Sequence, residues 1–290
     1  MNAKLLFLHA LSPLHAGTGQ GVGAIDLPIA REKGTDIPIV PGSSVKGVLR
    51  DACDVSKRTR IFGPDTANAA AHAGAIQISD LRMVALPVRS LAGVFAWVTS
   101  PLLLQRLSRD AQMAGHESLP STPWISDTAG CCVASQSALR LSSGDVVLED
   151  VKLTPTDENA DGWAEWLARA VFEDDWQEAF KARLCIVHDD VMSFLLQTGT
   201  EVTARIRLQD EKKTVAKGAL WYEEALPTES LLVGLVVAAP VQVNNSVVQP
   251  EEVFETVAQL VQRPLQIGGN ATVGRGICCL RMVEVNNANA

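Results

Sequence analysis

Near both ends of this chain an apolar, strand-like run stands beside a glycine-rich loop, and that pairing limits the fold more than anything between. Leu5-Leu6-Phe7-Leu8-His9-Ala10-Leu11 is short, apolar and stopped by Ser12-Pro13, the pattern of a buried strand. Gly17-Thr18-Gly19-Gln20-Gly21-Val22-Gly23 follows it. After Pro41-Gly42-Ser43-Ser44, residues Val45, Val48, Leu49 and Ala52 recur at helical spacing, which predicts an amphipathic helix capped by the two serines. At the other end, Pro250 to about residue 262 reads as a helix, Gly268 to Gly276 as a loop and Ile277 to Val285 as a closing strand. Strand, loop and helix at both ends predict an α+β fold on an antiparallel sheet, a ferredoxin-like, RRM-type core with the middle of the chain inserted into it.

Within that middle, residues 76 to 99 read as strand-like and short helical pieces broken at Pro87, and Pro101 to about Ala111 as a leucine-rich helix. Trp163, Trp166, Leu167 and Ala170 have helical spacing, and the tryptophans, with Trp176, suit core packing or a subunit contact. Val202, Ala204, Ile206 and Leu208 alternate with Thr203, Arg205 and Arg207, and a second run ends at Trp221-Tyr222, so a hairpin with one arginine-bearing face is expected. For 290 residues one elaborated domain is expected over 1–290: a core from both termini, an inserted helical region at about 100–190 and a hairpin at about 200–222. His188-Asp189-Asp190 has no second histidine group at ligand spacing and reads as a turn with helix-capping acids.

Hydrophobic residues make up 47% of the chain and charged residues 20%, a globular composition. The longest apolar stretch, Leu231 to Ala239, falls far short of the roughly 20 residues that span a bilayer, and the N-terminal run is too short for a signal peptide. A cytoplasmic chain with no membrane partner is expected. The six cysteines form no CxxC pair and read as reduced core or strand residues. A net charge of -8 argues against nonspecific coating of nucleic acid. The charge is uneven, however: Lys46, Arg50, Lys57, Arg58 and Arg60 cluster against Asp51 and Asp54, while acids crowd residues 157 to 178.

The first glycine loop is no dinucleotide fingerprint, because Ile25-Asp26-Leu27-Pro28-Ile29 stands where the helix should begin, and no GxxxxGK[ST] is present. No nucleotide cofactor is expected. In the second loop Gly268, Gly269, Asn270, Gly274, Arg275 and Gly276 would let the main chain approach a phosphate while the arginine neutralises it. Ser43 and Ser44 would leave the positive helix end available, with Lys46 and Arg50 on one face beside it and Lys57 and Arg58 close by. Together these segments suggest a cradle for a polynucleotide backbone.

Several segments carry a resemblance: Leu14-His15-Ala16-Gly17-Thr18-Gly19, Asp26-Leu27-Pro28-Ile29-Ala30-Arg31-Glu32, Ile39-Val40-Pro41-Gly42-Ser43-Ser44-Val45-Lys46-Gly47 and Ile61-Phe62-Gly63. Later come Pro87-Val88-Arg89-Ser90 with Phe95-Ala96-Trp97-Val98-Thr99, then Leu220-Trp221-Tyr222-Glu223-Glu224-Ala225-Leu226-Pro227, and the terminal glycine loop. In this order they resemble the RAMP superfamily of CRISPR-associated proteins, in the manner of the repeated backbone subunit of type III-B (Cmr) effectors. The resemblance implies an RRM-like palm and a hairpin thumb. It implies copies stacked head to tail on a guide CRISPR RNA, together with other Cmr subunits and a target RNA. It further implies metal-dependent endoribonuclease activity, with Mg²⁺ or Mn²⁺, beside each nucleotide that a thumb displaces, leaving a 2',3'-cyclic phosphate and a 5'-hydroxyl.

By the same resemblance Asp26 is the key acid and metal ligand, His15 an acid-base or positioning group, and Tyr222, Glu223 and Glu224 part of the same region. On residue type alone, Asp26 reads as a turn or cap residue and His15 as structural. A subunit that holds the guide without cutting is the alternative. The lone chain is expected to bind RNA weakly, with tight binding once copies form a continuous groove.

Overall fold

The computed structural model describes residues 2–18, 25–65, 72–208, 215–243 and 246–284, the side chains of 208 and 215–218 excepted. The tail of the first glycine loop, the hairpin turn and the last six residues lie outside them. The fold is mixed α+β. Its centre is the strand Asn2–Ala10, which pairs antiparallel with Leu231–Ala238 on one side and Ile277–Val283 on the other. Leu81–Arg89 pairs antiparallel with the far edge of Leu231–Ala238. These four strands therefore lie in the order 277–283, 2–10, 231–238, 81–89.

Both faces of this sheet are covered, which is why its central strand is apolar almost throughout. Leu6, Leu8 and Ala10 enter one core with Val45 and Leu49 of the helix Gly42–Ala52 and Val253 and Val257 of the helix Pro250–Leu260. Leu5 and Phe7 enter a second core with Leu104 and Leu107 of the helix Pro101–Met113 and Trp163 and Leu167 of the helix Asp161–Val171. The one buried polar member of the central strand, His9, places its Nε2 2.6 Å from Glu229 Oε2.

Beyond 81–89 the sheet continues through Phe95–Thr99, then Leu184–Val187 in parallel, then Gly130–Val133, Val151–Pro155 and Val146–Leu148. Pro87 lies inside a strand and does not break it, contrary to expectation. Opposite it, Trp97 donates its N–H away to Arg183, so Pro87 occupies a non-hydrogen-bonded position on that side. On the other side, pairing with Leu231–Ala238 ends at Ala85, and no partner needs the missing donor.

A separate two-stranded sheet pairs Glu201–Leu208 with Val215–Ala225. Its second strand runs past the predicted limit at Tyr222 and takes in Glu223 and Glu224, because Thr203, Val202 and Glu201 pair with Glu223, Glu224 and Ala225; Leu27 bridges to Glu223 from the other edge. Five cysteines are buried, Cys279 is half-buried, and all six are free. Burial pushes the Cys278 thiol up to about 12. Among the described residues, no helix is long and apolar enough to cross a membrane.

Trp97 joins the main sheet to the inserted helices. It is fully buried, packs against Phe95, Phe172 and Phe180, and donates Nε1–H to the Glu229 carbonyl at 2.9 Å. Trp97→Ala is expected to cost about 3–5 kcal/mol in urea denaturation. Val55→Ala, at a position 76% exposed, should stay within about 0.5 kcal/mol.

Candidate nucleic-acid interface

Segments far apart in the chain meet in one cleft of about 720 Å³. Its walls are His15, Ala16 and Gly17 after the central strand, Ser43, Ser44 and Gly47 of the helix Gly42–Ala52, and Gly268 and Gly269 of the last loop. Main-chain bonds bring the last loop there. Gly269 donates to the His15 carbonyl at 2.9 Å, Gly276 donates to that of Pro13 at 2.9 Å, and Ile277 donates to Ser12 Oγ at 2.9 Å. A Cβ on Gly268 would stand 2.3 Å from the His15 carbonyl oxygen, and one on Gly276 would stand 2.0 Å from that of Ile267. Both glycines have left-handed φ, +81° and +77°. The loop is therefore drawn tightly onto residues 12–15, with Gly268, Gly269 and the tip, residues 271–274, left exposed.

Three consecutive residues of the strand Val215–Ala225 hold the other parts. The Tyr222 N–H donates to Asp26 Oδ2 at 2.8 Å, Leu27 donates to the Tyr222 carbonyl at 3.1 Å, and Glu224 donates to that of Leu27 at 3.0 Å. Asp26 is exposed and Tyr222 is 42% exposed. Glu223 is buried and accepts from Trp221 Nε1 at 2.9 Å, Arg205 Nε at 3.2 Å and Asn270 Nδ2 at 3.1 Å. Burial raises the Glu223 pKa, but the bonds from Trp221 and Arg205 and the charges of Arg205 and Arg275 outweigh it and hold the carboxyl below its ordinary value.

Glu224 is buried too. Its carboxylate accepts from the Ile29 N–H at 3.0 Å, Arg31 at 2.7 Å and Thr200 Oγ1 at 2.9 Å. Its carbonyl oxygen lies 2.6 Å from His15 Nδ1. A carbonyl can only accept, so Nδ1 carries the proton and the free lone pair or second proton of the ring sits on Nε2, the atom nearest Gly17. Of the acids expected in the site, Asp26 alone faces solvent, and the two glutamates are bonded inward.

The cations are placed otherwise than expected. Ser44, Gly47, Val48 and Asp51 form the cleft face of their helix, and Lys46 and Arg50 lie on another face. Lys46 donates to the Ile76 carbonyl at 3.3 Å, while Arg50 donates to those of Gly63 at 2.7 Å and Pro64 at 3.3 Å. Burial, with Arg50 adding to it, lowers the Lys46 pKa. Arg58 donates to the Cys53 and Asp51 carbonyls at 3.0 Å, while Lys57 is exposed. Arg275 is buried, 6% exposed, and donates to Thr203 Oγ1 at 3.2 Å; its Nη1 has no hydrogen-bond partner among the described residues. It is thus turned away from any phosphate at the loop surface.

The serines are not caps either. Pro41 holds the N-cap position with no side-chain cap bond, and Asp80 Oδ1 takes the Gly42 N–H at 2.8 Å. Asp80 was not legible as a partner of this helix, since 38 residues separate it from Gly42. His188 caps the helix Asp189–Thr198, accepting the Asp190 N–H at 3.2 Å, and Asp189 takes the Leu102 N–H at 2.9 Å. Among the described residues, no group of three or more His, Cys, Asp or Glu side chains could hold a metal ion.

The RAMP superfamily model matches residues 7–279. The chain is 37% identical to the CRISPR system Cmr endoribonuclease Cmr4 of Pyrococcus furiosus, over 99% of this chain and 98% of that protein. The crystal structure of oligomeric Cmr4 from Pyrococcus furiosus superposes with a TM-score of 0.75 at 29% identity, covering 99% of this chain and 100% of that one. A chain of the type III-B Cmr-beta complex bound to cognate target RNA shares the fold, with a TM-score of 0.74 at 19% identity over 97% of this chain and 96% of that one.

Gly268 and Gly274 share φ +81°, but a Cβ on Gly274 meets nothing within 4 Å. Gly274→Ala is expected to cost about 1–2 kcal/mol of backbone strain. Gly268→Ala should cost clearly more in the same denaturation experiment, because His15 must also move.

Proposed function

The chain belongs to the RAMP superfamily, and from that membership we propose that it is a repeated backbone subunit of a type III-B CRISPR effector, one that binds guide RNA and cuts the paired target RNA at regular intervals. The observation that carries this reading is the 37% identity, over nearly its whole length, to a protein named as the Cmr endoribonuclease. The antiparallel order 277–283, 2–10, 231–238, 81–89, with the helices 42–52 and 250–260 on one face, supports a ferredoxin-like, RRM-type palm. Residues 101–198 are then the insertion and the 201–225 hairpin the thumb. The palm's second face is covered by the inserted helices, so RNA binds at the cleft and not across the sheet. Copies stacked head to tail in the cytoplasm, with other Cmr subunits, join their clefts into one groove and hold RNA far better than one acidic chain can.

In this cleft, the main-chain amides of Ser43 and Gly268 meet the RNA backbone. Asp26 is the acting carboxylate: exposed, and fixed in place by the Tyr222 N–H. The cut is an in-line attack in which the target's 2'-oxygen bonds to the adjacent phosphorus, the bond to the 5'-oxygen breaks, and that oxygen takes a proton to become the 5'-hydroxyl. Asp26 takes the 2'-hydroxyl proton or holds a divalent ion, Mg²⁺ or Mn²⁺. As a single exposed carboxylate, Asp26 is the residue that would hold such an ion. When bound, the ion would neutralise charge on the phosphate. His15 orients the site through Nε2, while Glu223 and Glu224 act from within the fold.

Asp26→Ala separates cutting from holding. Guide-loaded complexes should assemble and bind target as before, while cleavage falls by at least about a hundredfold. Unchanged cleavage would leave this chain a subunit that only holds the guide.

A further inference from the structure

The hairpin has two unlike faces. Val202, Ile206, Leu220 and Tyr222 are apolar and exposed on one. On the other, Thr203, Arg205, Trp221 and Glu223 form a polar group turned toward the loop 268–276. Two bonds cross from that polar face to the loop. Asn270 donates from Nδ2 to Glu223 Oε2 at 3.1 Å, and Arg275 donates from Nη2 to Thr203 Oγ1 at 3.2 Å. Thr203 and Glu223 are direct cross-strand partners, so both bonds reach the same rung of the ladder. Asn270 has a left-handed φ of +63°, and Val273 and Arg275 donate back to its carbonyl at 3.1 and 3.3 Å. The exposed tip 271–274 is thus suspended between two residues whose side chains are both tied to the hairpin.

We infer that Glu223 is a positioning residue, tying the loop 268–276 to the hairpin through Asn270, with Arg275 and Thr203 as a second tie, so that loop and hairpin move as one body. The inference rests on the reading that the loop meets guide RNA and the hairpin displaces a nucleotide. A fixed distance between them then holds the displaced nucleotide in register with Asp26, which hangs from Tyr222, the preceding residue of the same strand. Glu223 itself touches no RNA: its three bonds are to its own chain, and it is 5% exposed.

The test uses the full chain, alone and in guide-loaded complexes. Asn270→Asp sets one carboxylate against another, and adding Glu223→Gln relieves that repulsion. In the lone chain, Asn270→Asp should speed amide exchange at residues 271–275 about tenfold, and the double variant should return to within about threefold of the parent. In the complex, Asn270→Asp should lower cleavage kcat about tenfold with KM for target unchanged, since base pairing captures the target, and the double variant should recover. The inference is overturned if Asn270→Asp has the same effect in the Glu223→Gln background as in the parent, or has none. If the double variant does not fold, Asn270→Ala decides: unchanged exchange in the loop sinks the tie. Should the parent complex neither hold guide nor cut, the functional reading fails, while the exchange result on the lone chain still decides the tie.

Discussion

Tyr222, Glu223 and Glu224 are consecutive on one strand, and each fastens a different piece of the cleft. The Tyr222 amide holds Asp26, the Glu223 carboxylate holds Asn270, and Glu224 holds His15 through its carbonyl and residues 29–31 through its carboxylate. Alternation along the strand sends the Glu223 and Glu224 carboxylates to opposite faces, while the Tyr222 main chain bonds Asp26 along the strand's edge, so three adjacent residues serve three directions at once. The cleft depends on this strand, because its walls come from residues 15–17, 27, 43–51 and 268–269 and share no local structure of their own.

Buried carboxylates are held here by satisfaction and not by exposure. Glu224 sits among three donors, one of them Arg31, and Glu223 among three more, one of them Arg205. Removing one partner of such a buried charge leaves the other unpaired, which is more damaging than the loss of a surface pair. The same logic explains Arg275, whose charge faces Glu223 and Glu201 from inside the loop. Polar groups that look available for RNA in the sequence are, in large part, the scaffold that keeps main-chain amides and Asp26 at the surface.

The termini of the fold were legible because two-sided burial writes itself into an apolar strand and one-sided burial into helical spacing; Leu5 to Ala10 and Val45 to Leu49 needed nothing from elsewhere. So was the conjunction of the serine helix and the last glycine loop. What could not be read were partners set by register and phase. Lys46 and Arg50 share a face as their spacing requires, but the turn of that helix aims them at the carbonyls of residues 76 and 63. Pro87 is tolerated because it stands at a non-hydrogen-bonded position opposite Trp97 and because pairing with a strand some 150 residues later stops at Ala85. Arg275 turns inward because the loop reverses at Asn270 and Gly274, both left-handed.

If RNA follows the surface these residues build, its backbone crosses where the start of one helix faces a loop from the other end of the chain. Cryo-electron microscopy of the guide-loaded assembly measures that most directly. The account predicts guide phosphates within hydrogen-bonding distance of the Ser43 or Gly268 amide in every copy. Guide RNA running over the far side of the molecule, with this cleft empty, would contradict it.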